Sequence, residues 1–158
     1  LREAVRPGGV ARILAEIESW RGERRETALE LAVPEELPDG SYVVQVAGGT
    51  ELSRYESQRL PSRFRPTSLD DAWRRLGELR PAHLLCGALY ASAPEVTREG
   101  RDYPELPLSA LALLSSGNVA GEAAARSTTA RLAERRVTLD GPLRGEVTMS
   151  LKVDRNAP

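Results

Sequence analysis

The sequence is poor in the residues that build metal centres and disulfide frameworks. Its 158 residues include one cysteine, Cys86, and one histidine, His83. A single cysteine excludes an internal disulfide framework, and one residue of each kind cannot complete a closed zinc site. We therefore expect no metal and no cofactor in this chain, and we nominate no catalytic residue.

The chain also lacks an initiator methionine, because Met149 is its only methionine. This absence suggests a piece of a larger protein or a processed product. No apolar run approaches the ~20 residues that a membrane helix requires, and no secretory signal pattern is present. We expect no membrane span in this stretch.

Lysine and aromatic residues are scarce as well. Lys152 is the only lysine among the 22 basic residues, and aromatics make up 4% of the sequence. The net charge is −1, so no basic field is available to attract nucleic acid, and we predict no nucleic-acid partner. With 41% hydrophobic residues the chain can build a core, mainly from Leu, Val and Ala.

Residues 1–49 have the alternation of antiparallel strands. Two runs place their apolar residues on one face each, Ala11, Ile13, Ala15 and Ile17 in the first and Thr27, Leu29, Leu31 and Val33 in the second. A third strand is predicted over Ser41 to Ala47. Short strands and turns of this kind are typical of immunoglobulin-like modules. We interpret 1–49 as an immunoglobulin-like β region.

Residues 50–158 predict an α+β region that packs with the first as one domain. A weak helix is expected over Glu51 to Arg59, and a stronger one near 68–80, with Ser68 as N-cap. The apolar stripe of the stronger helix predicts a core-facing side, formed by Leu69, Ala72, Trp73, Leu76 and Leu79. If Trp73 is buried, Trp73→Ala should cost about 3–5 kcal/mol.

The second half of this region completes the predicted fold. Ala82 to Ala91 is apolar on both faces and predicts a central strand that contains His83. A short helix is expected near 107–116, and two alternating strands close the chain. The fold class is therefore α+β, with antiparallel hairpins forming a sandwich or mixed sheet that carries two or three short helices.

Local motifs of known chemistry are missing. The sequence contains no Walker loop, Rossmann fingerprint, G-x-S-x-G elbow or calcium loop. Gly48-Gly49-Thr50 is interpreted as a turn with Thr50 as N-cap. Ser92 to Pro107 is predicted to be a long loop, and long loops often carry recognition. Within it we single out Arg98, Arg101 and Tyr103 as recognition residues.

The order of several short motifs resembles a known family. The motifs are V-R-P-G-G, W-R-G-E, V-P-E-E-L-P-D-G-S-Y, R-F-R-P-T-S-L-D-D, A-L-Y-A-S-A-P-E-V-T-R-E-G and L-P-L-S-A-L-A-L-L, with a closing G-E-V-T-M-S-L-K-V strand. This succession, from Val5 to Val153, resembles the C-terminal region of bacterial proteins with a SpoIVB-type serine peptidase domain. The resemblance implies a non-catalytic tail of a secreted, periplasmic or envelope-attached protein, although a cytoplasmic location stays open. No peptidase residue can be transferred to this chain.

Three functions stay open on this evidence. The first is a non-enzymatic interaction or scaffolding module that docks to its own upstream domain or to another envelope protein, or that associates through strand edges. The second is an enzyme of an unrecognised type that uses carboxylates. The third is a ligand- or glycan-binding module with Tyr90 and Tyr103 in a groove. An exposed apolar patch would favour the first, and convergent carboxylates with raised pKa values the second.

Overall fold

The computed structural model describes residues 4–66, 68–92, 95–98, 101–104 and 125–157, with backbone alone for the short strands between 95 and 127. Its elements follow in the order β1 (Val10–Glu18), β2 (Arg24–Ala32), β3 (Gly40–Gly48), α1 (Gly49–Arg59), a 3₁₀ turn (Pro61–Phe64), α2 (Leu69–Glu78), β4 (Leu84–Ala91), β5 (Glu95–Arg98), β6 (Arg101–Pro104), β7 (Ala125–Ser127), β8 (Ala130–Thr138) and β9 (Glu146–Val153).

Within the described residues, the strands form three antiparallel sheets. The central sheet has four strands in the order β8-β4-β3-β9, and β1-β2 and β6-β5-β7 form two smaller sheets. In the central sheet Val44 lies opposite Leu89 on one side and Met149 on the other. Since β3 comes from the first 49 residues, the early and late parts of the chain share one sheet. The α+β class is confirmed.

Strand β4 is buried on both faces, as its apolar sequence predicted. Leu85 and Leu89 belong to the core cluster that also contains Leu29 and Leu31 of β2. The alternate side chains of β4 pack on the other face, in a second cluster with Leu52 of α1, and these are Leu84, Cys86, Ala88 and Tyr90. The hairpin β1-β2 therefore covers one face of the central sheet, and α1 covers the other.

The predicted alternation of β1 and β2 is confirmed. Ala11 and Ile13 are buried, and they lie opposite Leu31 and Leu29 in the hairpin. Burial decreases toward the turn between the strands, where Trp20 is 92% exposed. The hairpin thus contributes its base to the core and leaves its tip in solvent.

Helix α1 begins at a close contact between backbones. Its N-cap is Gly48, which corrects the prediction of Thr50. A Cβ added at Gly49 would lie 2.1 Å from the carbonyl oxygen of Pro81. A glycine is therefore required here because any side chain would push α1 away from the segment that leads into β4.

Helix α2 forms where it was predicted, and the Ser68 hydroxyl accepts a hydrogen bond from the Asp71 N–H at 3.1 Å. Its orientation is the reverse of the predicted one. Trp73 is 67% exposed, whereas Asp71 is buried. The expectation that Trp73 lies in the core is wrong, because α2 turns the side of Asp71 and Arg75 inward, where these two side chains pair.

Two further predictions are changed by the structure, and a third is not tested by it. His83 precedes β4 and is exposed, so it does not lie within the strand. The stretch 92–107, predicted as a loop, contains β5 and β6. The helix predicted near 107–116 lies outside the described residues.

The two ends of the described chain meet at the edge of the central sheet. Val5 forms a parallel bridge with Val153. Its N–H donates to the Lys152 carbonyl at 3.0 Å, and its carbonyl accepts from the Asp154 N–H at 3.0 Å. Of the helices in the described ranges, none is long and apolar enough to cross a membrane.

The contact at the start of α1 leads to a paired test. Gly49→Ala should lower the free energy of unfolding by about 1–3 kcal/mol, because the methyl group meets a backbone oxygen that cannot turn aside. Gly77→Ala in α2 should raise it by up to about 1 kcal/mol, since no described heavy atom lies within 4 Å of that Cβ position. Urea unfolding followed by circular dichroism measures both. Equal effects of the two substitutions would contradict the assigned role of Gly49.

Candidate functional site

The outer face of α2 carries more exposed large apolar side chains than any other described element. We define this outer face by Leu69, Trp73 and Leu76, which are 74%, 67% and 57% exposed, together with Leu79 just beyond the helix end. Spacings of three and four residues place these side chains on one side of the helix. Soluble proteins seldom leave such a contiguous apolar row in water unless it meets a partner.

Charged side chains occupy the opposite, less exposed side of α2. Asp71 accepts hydrogen bonds from Arg74 at 2.5 Å and from Arg75 at 2.8 Å. Beyond the helix, the Arg80 N–H donates to the Ser53 hydroxyl of α1 at 3.0 Å. The Asp71 pairs lie within α2, so the described contact that ties the end of the helix to α1 comes from Arg80 and not from the apolar side chains.

The C-terminal end of α2 leads into a buried ion network centred on Glu134 of β8. This carboxylate accepts two hydrogen bonds from Arg80, at 2.8 and 2.6 Å. Arg131 and Arg136 donate to it as well, at 3.0 and 2.7 Å. The bidentate geometry with Arg80 is the strong form of a guanidinium–carboxylate pair. The network thereby joins α2 to β8.

A second carboxylate, Glu56 of α1, continues this network inside the protein. It is 2% exposed. The Tyr90 hydroxyl donates to it at 2.5 Å and Arg59 at 2.7 Å, while Arg131 lies 3.7 Å away. The network therefore links α1, β4 and β8.

These contacts shift the ionisation of both carboxyl groups. Burial opposes the charge of Glu134, but the hydrogen bonds from Arg80 and Arg136 outweigh it and lower its pKa to about 2. Burial likewise opposes ionisation of Glu56, yet its bond from Arg59 and the charge of Arg131 hold its pKa below the usual value. Burial, together with the adjacent Glu56 carboxylate, raises the pKa of Tyr90. Both carboxylates are thus ionised at neutral pH and cannot donate a proton.

A cavity of about 300 Å³ opens beside this network, between α1, the end of α2 and β8. Glu56, Arg80, Arg131 and Arg136 line it, with Phe64 and Leu79. The guanidinium groups on its wall donate to Glu56 or Glu134, and these pairs join three elements. The arrangement is suited to stability more than to proton transfer.

The residues singled out from the sequence lie on the β5-β6 hairpin and on β4. Arg98 and Arg101 face each other across the β5-β6 hairpin in backbone register, and Tyr103 lies opposite Val96, while the side chains of β5 and β6 lie outside the description. Tyr90 is 1% exposed, so its ring is not available to a ligand at the surface. The role of the predicted recognition residues stays a prediction.

Sequence reasoning missed the outward orientation of α2 and the Glu56–Glu134 network. The network joins residues far apart in sequence, such as Arg80 and Glu134, which are 54 positions apart. The one available signal was the charge of α2, where Asp71 and Arg75 lie on the side opposite the leucines. The charge pattern shows that α2 has an apolar face and a charged face, but it does not tell which of the two turns toward the rest of the chain.

Metal ligands do not gather in the described part of the chain, where no group of three or more His, Cys, Asp or Glu side chains could hold an ion. Burial, with the charge of Glu134, raises the pKa of the Cys86 thiol.

Comparison with protein-family models, with curated proteins and with solved structures finds no match to this chain. The outer face of α2 therefore has to be interpreted from its own geometry.

Because Glu134 is in the buried network and Asp140 is in solvent, replacing these two carboxylates should cost very different amounts of free energy of unfolding. Glu134→Gln should lower the free energy of unfolding by about 3–5 kcal/mol, because it leaves Arg80 buried without its charged partner. Asp140→Asn should cost less than about 1 kcal/mol, since its pair with Arg25 is in solvent. Urea titrations of both variants at neutral pH measure this difference, and similar costs would contradict the role given to Glu134.

The same network predicts acid sensitivity. Because folding lowers the pKa of Glu134 from 4.5 to about 2, its stabilisation is present above pH 4.5 and is lost as the pH falls toward 2. The loss should be on the order of 3 kcal/mol. Urea titrations at several pH values in this window should give a smaller loss for Glu134→Gln than for the natural chain. An equal loss would assign the acid sensitivity to other groups.

Proposed function

We propose that this chain is a non-catalytic protein-interaction module that binds its partner through the outer face of α2. The observation that carries the proposal is the exposure of Trp73 and its leucine neighbours on a well-capped helix. An amphipathic helix that presents spaced apolar anchors is a common recognition element in protein complexes.

The free energy available from burying the exposed apolar side chains of α2 favours a binding role for this face. Burying a leucine or a larger apolar side chain contributes roughly 1.5–3 kcal/mol. Leu69, Trp73 and Leu76 leave most of that free energy unused in the isolated chain. Tryptophan at the centre of such a face is the residue type most often found as an interface hot spot.

The rival functions receive less support from the described residues. An enzyme that uses carboxylates as acid and base requires at least one with a raised pKa, whereas Glu56 and Glu134 have lowered values. A ligand groove built on Tyr90 conflicts with the burial of that ring. The apolar face on α2 is the feature that was expected of a docking module.

The wider setting of the module is proposed from the sequence. Its motif order resembles the tail of SpoIVB-type serine peptidase proteins, so we propose a bacterial protein that acts outside the cytoplasm and docks to its own upstream domain or to another envelope protein. An immunoglobulin-like arrangement is supported by the β1-β2 hairpin, which packs on one face of the central sheet. Association through strand edges has support from β8 and β9, which end the central sheet.

Trp73→Asp tests the outer face as a binding surface. The substitution should change the free energy of unfolding by less than about 1 kcal/mol, because the side chain is in solvent. It should weaken binding of the polypeptide encoded immediately upstream in the parent gene at least about thirtyfold, the size expected for a hot spot. Isothermal titration calorimetry measures the binding.

Trp20→Asp is the matched control. Trp20 is 92% exposed but lies at the tip of the β1-β2 hairpin, away from α2. It should leave binding unchanged. Equal binding by the natural chain and Trp73→Asp would overturn the assignment of α2, and a large loss of stability in Trp73→Asp would show that the tryptophan serves the fold.

A further inference from the structure

The sequence of α2 has a symmetry that points to a specific partner. Residues 69–76 read Leu-Asp-Asp-Ala-Trp-Arg-Arg-Leu. Reversal about the midpoint between Ala72 and Trp73 places leucine on leucine and exchanges each aspartate for an arginine. A helix of this kind is complementary to its own antiparallel copy.

We propose that a second copy of this chain occupies the outer face of α2, with the two helices antiparallel around a twofold axis at Ala72 and Trp73. The inference rests on the proposed function and names its partner. In such an isologous interface, each contact between residue i and residue j occurs twice.

The helix geometry brings the matching groups to the same level. With a rise of 1.5 Å per residue, Leu69 of one helix lies level with Leu76 of the other, and the two Trp73 side chains are offset by about 1.5 Å along the axis. The twofold axis also brings the same flank of both helices together. Asp70 and Arg74 lie on that exposed flank. Each Asp70 then faces Arg74 of the other copy, with an offset of about 1.5 Å.

The inner pair of charges does not compete for this interface. Asp71 and Arg75 bond to each other at 2.8 Å on the side of α2 that faces its own chain. Arg74 also donates to Asp71, and its side chain is 58% exposed on the flank that it shares with Asp70. The apolar row would therefore form the centre of the interface, and Asp70 and Arg74 would form its polar rim.

A single pair of ten-residue helices buries a small area, so the dimer should be weak. Interfaces below about 1,200 Å² belong to transient complexes. We expect dissociation constants in the micromolar range or weaker. Sedimentation velocity from micromolar to millimolar concentration should show a monomer–dimer equilibrium for the natural chain.

Charge exchange tests the antiparallel pairing. Asp70→Arg alone and Arg74→Asp alone should each weaken self-association at least about tenfold, because both rim pairs become repulsive. An equimolar mixture of the two variants should recover association, since every rim pair then joins an arginine to an aspartate. Glu36→Arg makes the same change in net charge as Asp70→Arg at an exposed loop position and should have no effect. Circular dichroism confirms that each variant is folded.

The outcomes separate the inference from the proposed function. Recovery in the mixture supports the antiparallel dimer, and weakening without recovery overturns this pairing. A natural chain that stays monomeric at millimolar concentration overturns the second copy as partner. If Trp73→Asp still abolishes binding of the upstream polypeptide in that case, the proposed function stands with a different partner. If both self-association and that binding are absent, both proposals fail.

Discussion

Strand β4 is buried on both faces, and this constraint determines where the other elements of the chain can lie. Its apolar side chains require a cover on each side, which β1-β2 supplies on one face and α1 on the other. Gly87 lets Leu29 approach the strand closely, since a Cβ there would lie 2.6 Å from a leucine methyl group. Helix α2 contributes no side chain to either described core cluster. Its end is attached through Arg80, which bonds to Ser53 and Glu134, and its leucines and Trp73 stay outside.

The buried ion network around Glu134 and Glu56 also determines where elements lie. Glu134 joins the end of α2 to β8, and Glu56 adds a polar link between α1 and β4, which also share hydrophobic contacts. Such pairs gain little over well-packed apolar groups, but breaking one partner is costly. The main effect of these ion pairs is therefore to select one arrangement of α1, α2 and β8. Their net contribution to the free energy of unfolding is the smaller effect. A helix held in this way keeps a fixed direction while its outer side stays open to another protein.

Local features of the fold could be predicted from the sequence, because they depend on neighbouring residues. The Ser68 cap, the bounds of α2 and the alternation of β1 and β2 follow from periodicity and short-range hydrogen bonds. The orientation of α2 could not be predicted, since an apolar stripe does not reveal whether it faces the core or solvent. The long-range pairing of Arg80 with Glu134 gave no pattern in the sequence. The candidate site was therefore visible as a helix and was assigned to the wrong side.

The bridge between Val5 and Val153 determines how this chain can be connected to other polypeptides. Because Val5 bonds to both Lys152 and Asp154, the polypeptide enters and leaves at one point on the edge of the central sheet. A sequence fused to both ends would carry the unit as a side branch instead of a link in series. The two ends could also be joined by a short connector and the chain opened elsewhere, since proteins with adjacent ends tolerate circular permutation.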